Sequence, residues 1–248
     1  MNEITKTQNL ARVVADITGD GHLQIQGWRH LISFYSKDLE EIEAAQKRFY
    51  ELFGLLGKVY VDHRKNIRYK LFFISKPVAL FLRNVGTPVG NKTNVVFFVP
   101  KWIFCGSQLI KSAYLQGLFD SEGSVFCRKG VKRRWQIGFK MAKNEQMVDS
   151  EILYLNQIRK MLMDFRIHCS PIRKNVLNLR KDGSRSFEFQ FNIEKSSFRN
   201  FYKYVGFGHK AKRTKLLLAL SECADSQAAK FTSTKRSGNS KQSPAVPL

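Results

Sequence analysis

Two short stretches of the 248-residue chain place a glycine-flanked carboxylate behind a row of small side chains: NLARVVADITGDGHL, with Asp20, and KSAYLQGLFDSEGSV, with Glu122. Ala11, Ala15 and Gly19 are spaced four apart in the first stretch, as are Ala113, Gly117 and Ser121 in the second. On helices, that spacing puts each set on one face. Small faces let two helix backbones approach closely. Packed through them, the helices would bring Asp20 and Glu122 side by side at one end. Two carboxylates would then crowd each other where both helix dipoles already place negative partial charge. A hard divalent cation relieves such crowding, because it takes carboxylate oxygens and completes its shell with water and phosphate. An ordinary turn aspartate and a solvated surface glutamate would explain either motif alone, but not their recurrence at equivalent positions. Gly21 and Gly123 are expected to end the two helices in a left-handed turn.

The elements that must position these acids also repeat. IRYKLFFISKPVALFLRNVG, ending at Gly86, lies without gaps on FEFQFNIEKSSFRNFYKYVG, ending at Gly206. Two long periods are too few for a solenoid and point to a pseudo-twofold pair of related halves. In each half a helix ends at the acid. Two alternating strands follow, GHLQIQ with RHLISFY or SVFCRK with RWQIGFK. Next come a longer amphipathic helix, DLEEIEAAQKRFYELFG or NEQMVDSEILYLNQIRKMLMDF, and two more strands, GKVYVD with IRYKLFFI or HCSPIRK with SFEFQFNI. A short helix closes each half. The expected class is α+β, with αββαββα written twice. TPVGNKTNVVFFVPKWIF, rich in turn residues, links the halves. The expected divisions are 1–98, 99–220 and a basic tail, 221–248, whose Ser, Lys, Gly and Pro content predicts disorder.

Composition says what kind of partner such a molecule meets. Lys and Arg total 42 against 20 Asp and Glu, giving a formal charge of +22. That excess goes well beyond what solubility requires and fits a nucleic acid better than a membrane, since phosphates along a duplex reward many separated cations. No apolar run approaches the roughly 20 residues that cross a bilayer, and the polar start MNEITKTQN lacks a signal peptide's apolar core, so a cytoplasmic site is expected. Cys105, Cys127, Cys169 and Cys223 are scattered without metal-finger spacing and are expected to be reduced and buried.

LARVVADITGDG and AYLQGLFDSEG resemble the paired signature of the LAGLIDADG homing endonucleases, and the resemblance spans about residues 7 to 220. The first copy carries Asp16 and Thr18 where apolar or small residues are more usual. The resemblance implies a single-chain monomer with its two motif helices at the centre and antiparallel strands forming a saddle over the DNA major groove. It implies double-strand cleavage at a long target, in the cytoplasm or in an organelle if the gene lies there. It also implies that each motif acid and the preceding carbonyl bind divalent metal, Mg²⁺ or Mn²⁺: Asp20 with Gly19, and Glu122 with Ser121. A different reading of the same fold is a non-catalytic DNA-binding protein or an intron RNA maturase, with intron RNA as partner.

Hydrolysis of a phosphodiester needs an activated water, charge neutralisation at the phosphate and help for the departing oxygen. No Ser-His or Cys-His pair stands out as a nucleophile. The repeat itself selects assisting lysines. Lys92 follows Gly86 at the spacing by which Lys212 follows Gly206, and Lys37 and Lys143 precede the second helices in SKDLEEI and AKNEQMV. Lys210 competes with Lys212. Expected DNA contacts on the strands are Arg29, Arg64, Lys65, Arg68 and Lys70, then Arg128, Arg133, Arg134, Lys140, Arg173, Lys174 and Arg180. His22 is read as a polar strand residue, and Trp28, Trp102 and Trp135 as packing or strand-face aromatics.

Overall fold

The computed structural model describes residues 2–63, 67–128, 130, 134–179, 183 and 185–222. The first half runs α1 (Glu3–Thr18), β1 (His22–Gln26), β2 (Arg29–Ser36), α2 (Leu39–Phe53), β3 (Lys58–Asp62), β4 (Arg68–Ile74) and α3 (Lys76–Asn84). A 3-10 turn, Lys92–Asn94, and a short helix α4 (Lys101–Phe104) lead onward. The second half repeats the order: α5 (Gln108–Glu122), β5 (Gly123–Arg128), β6 (Arg134–Asn144), α6 (Val148–Met163), β7 (Arg173–Leu179), β8 (Arg185–Ile193) and α7 (Phe198–Tyr204). A last helix, α8, covers 210–222. The αββαββα order expected from the repeat is present in both halves.

Each half builds one antiparallel sheet, β1-β2-β4-β3 and β5-β6-β8-β7. Gln26 pairs with Arg29, so Gly27 and Trp28 form a two-residue turn, and Gly27 takes φ 53°, which favours glycine. The strand expected at HCSPIRK starts later, at Arg173, and Cys169 makes only an isolated bridge to Ile193. Pro171 has no N–H for a ladder. β7 is exposed along its whole length, so it lacks the alternation by which a strand is recognised.

α1 is tied at both ends by its own sequence. The Asn2 side chain accepts from Thr5 N (2.8 Å), and Gly19 N donates to Ala15 O (2.8 Å). Its apolar residues then divide between two cores. Val13 and Ile17 pack with Leu23, Ile32, Phe34, Phe49 and Phe73 of the first half. Ala11, Val14 and Ala15 instead pack into the second half's core, with Leu115, Leu118, Phe139 and Phe191.

The cysteines differ from expectation. Cys105 is exposed, and Cys127 and Cys169 are half-buried, all with free thiols; Cys223 lies outside the described residues. α8 runs through Ser221 and Glu222, the first residues of the expected tail, and Trp135 Nε1 donates to Glu222 (2.8 Å). Among the described residues no helix is long and apolar enough to cross a membrane.

Candidate metal and nucleic-acid site

The small-residue faces of α1 and α5 meet. A methyl group on Gly117 would lie 2.6 Å from Ala15 Cβ, and one on Gly19 would lie 2.3 Å from Ser121 Cβ, so neither position has room for a side chain. This close crossing delivers the two acids to one place. α5 ends at Glu122, whereas α1 stops at Thr18 and Asp20 stands in the turn that follows. Asp20 is exposed and Glu122 half-buried. Burial pushes the Glu122 carboxyl up to about 7, with the negative charge of Asp20 adding to the rise and Lys92 and Lys212 opposing it.

The glycines after the acids act differently from the left-handed turn expected of them. Gly123 is extended (φ −82°, ψ 154°), and Gly21 is not among the positive-φ glycines. Their requirement is steric. A Cβ on Gly21 would be 2.7 Å from Ile17 Cα, and one on Gly123 would be 2.4 Å from Phe119 O.

Two lysines close the ends of the motif helices in parallel fashion. Lys92 Nζ donates to Ile17 O (3.1 Å) and Gly21 O (2.9 Å). Lys212 Nζ donates to Asp120 O (2.5 Å) and Gly123 O (2.7 Å), with Phe119 O at 3.4 Å. Each ammonium thus meets carbonyls at or just beyond a helix C-terminus, where the intrahelical ladder runs out. Burial pulls Lys92 down to about 8 against the attraction of Glu122 and Asp20, and burial lowers Lys212 also. Lys210 stays exposed, 3.8 Å from Glu40.

The other two lysines lie elsewhere. Lys37 is exposed on the segment before α2, and Lys143 is turned into the core. His22 sits half-buried at the start of β1, its pKa lowered by burial and by the charges of Lys92 and Lys70.

An ionic cluster that the motif reading missed flanks the crossing. Arg12 donates to Asp16 (2.7 Å), to Gln116 (3.0 Å) and to Asp120 (2.6 Å), so one side chain spans both motif helices. Asp16 also accepts from Arg48 on α2 (2.9 Å), and Asp120 accepts from the backbone N–H groups of Gly208 and His209. Asp16 and Thr18, the unusual residues of the first motif, are thereby accounted for; the Thr18 hydroxyl bonds Val14 O (2.7 Å). The Arg12 to Asp16 spacing was the available signal for this cluster. A cleft of about 330 Å³ opens beside Asp20, lined in part by Arg12, Asp120 and His209. At its rim His209 Nε2 lies 3.0 Å from Asp38 and 3.7 Å from Glu41.

Strand alternation sorts the basic residues. Arg29, Arg68 and Lys70 share the outer face of the first sheet, away from Leu23, Ile32, Leu71 and Phe73. In the second sheet Arg128, Arg134, Lys140 and Arg173 share the outer face, away from Ile137, Phe139, Phe189 and Phe191. Lys140 pairs there with Glu188 (3.1 Å). Lys174 pairs with Phe189 and so falls on the opposite face, its ammonium 4.6 Å from the centre of the Phe187 ring. Arg64, Lys65, Arg133 and Arg180 lie outside the described residues.

Trp28 stands in the turn between β1 and β2, so it takes neither of the places expected of it, a packed interior or a strand face. It is 84% exposed at the β1-β2 tip, with the Arg29 guanidinium 5.1 Å from the ring centre, and so does not pack inside. Trp102, in contrast, is partly buried and donates to Val85 O (2.9 Å).

No known family profile matches the chain. Among curated proteins it is 30% identical over 168 residues to the tRNA-splicing ligase RtcB of Pyrococcus abyssi, and 26% identical over 228 residues to the RNA polymerase subunit Rpo1N of Methanocaldococcus jannaschii. Those alignments take in 64% and 85% of the chain but only 18% and 16% of the relatives' lengths. Solved structures are similar as well. The homing endonuclease I-WcaI bound to its DNA recognition sequence matches with TM-score 0.53 and 15% identity over 87% of this chain and 88% of that one. I-DmoI in complex with DNA and Mn gives 0.51 and 15%, over 81% and 97%. Full-length DUF199/WhiA from Thermatoga maritima gives 0.50 and 14%, over 94% and 69%. The fold is that of the LAGLIDADG homing endonucleases, in the single-chain form that carries two motifs.

Proposed function

We propose that the chain is a site-specific DNA endonuclease that breaks both strands of a long target by metal-dependent phosphodiester hydrolysis. The observation that carries this reading is the convergence of Asp20 and Glu122 at the crossing of the motif helices, with Glu122 raised to about 7 by burial and by its acidic neighbour. Two carboxylates, with the carbonyls of Gly19 and Ser121 next to them in sequence, form an all-oxygen donor set that suits Mg²⁺ or Mn²⁺. A divalent ion held by Asp20 and Glu122 would supply an activated water and neutralise charge at the scissile phosphate. The chain's own residues do the rest. Lys92 and Lys212 fix the backbone beside each acid and add positive charge next to the phosphates. The outer-face residues Arg29, Arg68 and Lys70, with Arg128, Arg134, Lys140 and Arg173, grip duplex phosphates and read base edges. One acid from each half suits a substrate with two antiparallel strands.

The relatives support an activity that belongs to this segment alone. Similar stretches make up less than a fifth of two proteins with unrelated names, a ligase and a polymerase subunit, which favours an activity carried by the stretch itself. The DNA named with the neighbours I-WcaI and I-DmoI supports duplex DNA as the substrate. Two crowded acids argue against a purely binding role, whereas a nuclease could also act as an intron RNA maturase.

The test is cleavage of a plasmid carrying the sequence made by joining the DNA that flanks the gene. Linear product is expected with Mg²⁺, none with a chelator, and none from Asp20→Asn or Glu122→Gln. Cutting that survives both substitutions would sink the proposal, and metal-independent binding of intron RNA without cutting would favour the maturase.

A further inference from the structure

Alternation along β6 puts Ile137, Phe139, Met141 and Lys143 on the face turned to the core. A lysine in that row must find partners or give up its proton. Lys143, only 2% exposed, finds several. Its Nζ donates to the carbonyls of Lys92 (2.6 Å) and Val95 (3.0 Å), lies 3.7 Å from the centre of the Phe97 ring, and stands 3.6 Å from Oε2 of Glu151 on α6. Glu151 is 1% exposed, and neither of its carboxylate oxygens has a hydrogen-bond partner. The next residue of β6, Asn144, donates to Asn94 Oδ1. The 3-10 turn Lys92–Asn94 is therefore pinned to β6 by two side chains, one of them a buried cation. From that turn the Lys92 side chain reaches back to Ile17 and Gly21, on either side of Asp20.

We propose that Lys143 is a positioning residue: through the carbonyl of Lys92 it fixes the linker turn from which Lys92 reaches the end of the first motif helix. Glu151 balances its charge where water cannot. One half of the molecule thus sets the lysine that serves the motif of the other. The device is one-sided. Strand register sets Lys143 against Asp38, an exposed acid, and the neighbouring Lys37 is exposed too; Lys212 stands within α8, whose own hydrogen bonds hold its backbone. The inference rests on the nuclease reading for its catalytic consequence, which is unequal cutting of the two strands when Lys143 is lost.

Two variants test it. Lys143→Met removes the cation. Lys143→Met with Glu151→Met replaces the buried pair by apolar side chains, a change that is often tolerated where removing one partner alone is not. The first readout needs no cutting: amine acylation of the folded protein, followed at Lys92 by peptide mass spectrometry and normalised to Lys212. Lys92 is expected to react several-fold faster in both variants than in the native chain, and unchanged reactivity in the folded double variant overturns the proposal. The second readout is strand choice on a supercoiled target plasmid. Both variants are expected to accumulate nicked circles that leave uncut the same strand as Lys92→Met does, and the opposite strand from Lys212→Met. Equal slowing on both strands overturns the positioning role even if the native protein cuts. A native protein that does not cut removes the nuclease reading instead, and Lys92 acylation then decides the positioning question alone.

Discussion

Gly19 and Ser121 meet where α1 crosses α5, so closely that a methyl group on Gly19 would lie 2.3 Å from Ser121 Cβ. Its φ of −78° lies outside the left-handed region that favours glycine, and the close contact itself leaves no room for a side chain. Its role is to let a serine of the other helix come near, and the acids that follow both residues depend on that approach.

Gly19→Ala should therefore press on this contact. Overpacking at a tight contact costs about 1–3 kcal/mol. For a chain of this size that lowers Tm by roughly 2–4 °C per kcal/mol, readable by thermal melting. Cleavage should fall further than stability does, and a variant that melts and cuts like the native chain would contradict the crossing.

Arg12→Met should destabilise by about 3 kcal/mol, because it strands buried acid groups that the guanidinium holds. Asp120 is 6% exposed and Asp16 13%, so water does not readily replace the lost partner. Urea unfolding measures the change, and a loss within about 0.5 kcal/mol would mark the cluster as surface decoration.

Glu122 makes the metal-free protein sensitive to pH. Its carboxyl titrates near 7 in the fold against an ordinary 4.5, so the native state holds this proton more tightly than the unfolded chain does. The resulting stabilisation is complete below 4.5 and is lost as pH rises through 7. With a chelator present, Tm should fall between those values more in the native chain than in Glu122→Gln. Added Mg²⁺ should restore stability most above pH 7, and below that pH its binding should release a proton, which calorimetry in buffers of different ionisation heat detects.

Arg128→Ala and Arg134→Ala should each lower DNA affinity and reduce the slope of log affinity against log salt by about one. Lys174→Ala, on the opposite sheet face, should leave the slope unchanged. Fluorescence anisotropy over a salt series reads both, and equal effects from Lys174 and Arg134 would mean that the two faces are not distinguished.

Much of this was legible from residue spacing. The small-residue rows gave the crossing of α1 and α5, and the gap-free repeat around Gly86 and Gly206 gave the parallel placement of Lys92 and Lys212. Other features were hidden for identifiable reasons. A glycine after an acid looks the same whether a left-handed turn or a nearby carbonyl demands it, so Gly21 and Gly123 were misread. Matching Lys143 to Lys37 across the repeat masked the stronger signal of alternation from Ile137 to Lys143, which turns the lysine inward. β7 and the exposed Trp28 carry no burial pattern, and the bridge from Arg12 to Asp120 joins residues that only the folded chain brings together.

The division of α1 between two cores has a consequence for how the molecule comes to exist. Ala11, Val14 and Ala15 belong to a hydrophobic interior whose other members are made a hundred residues later in synthesis. The leading helix must wait on the ribosome with that flank wet, and neither half, produced alone, would inherit a finished interior. Each half completes the interior of the other, and a chain cut at the linker should regain its fold only when both pieces are present together.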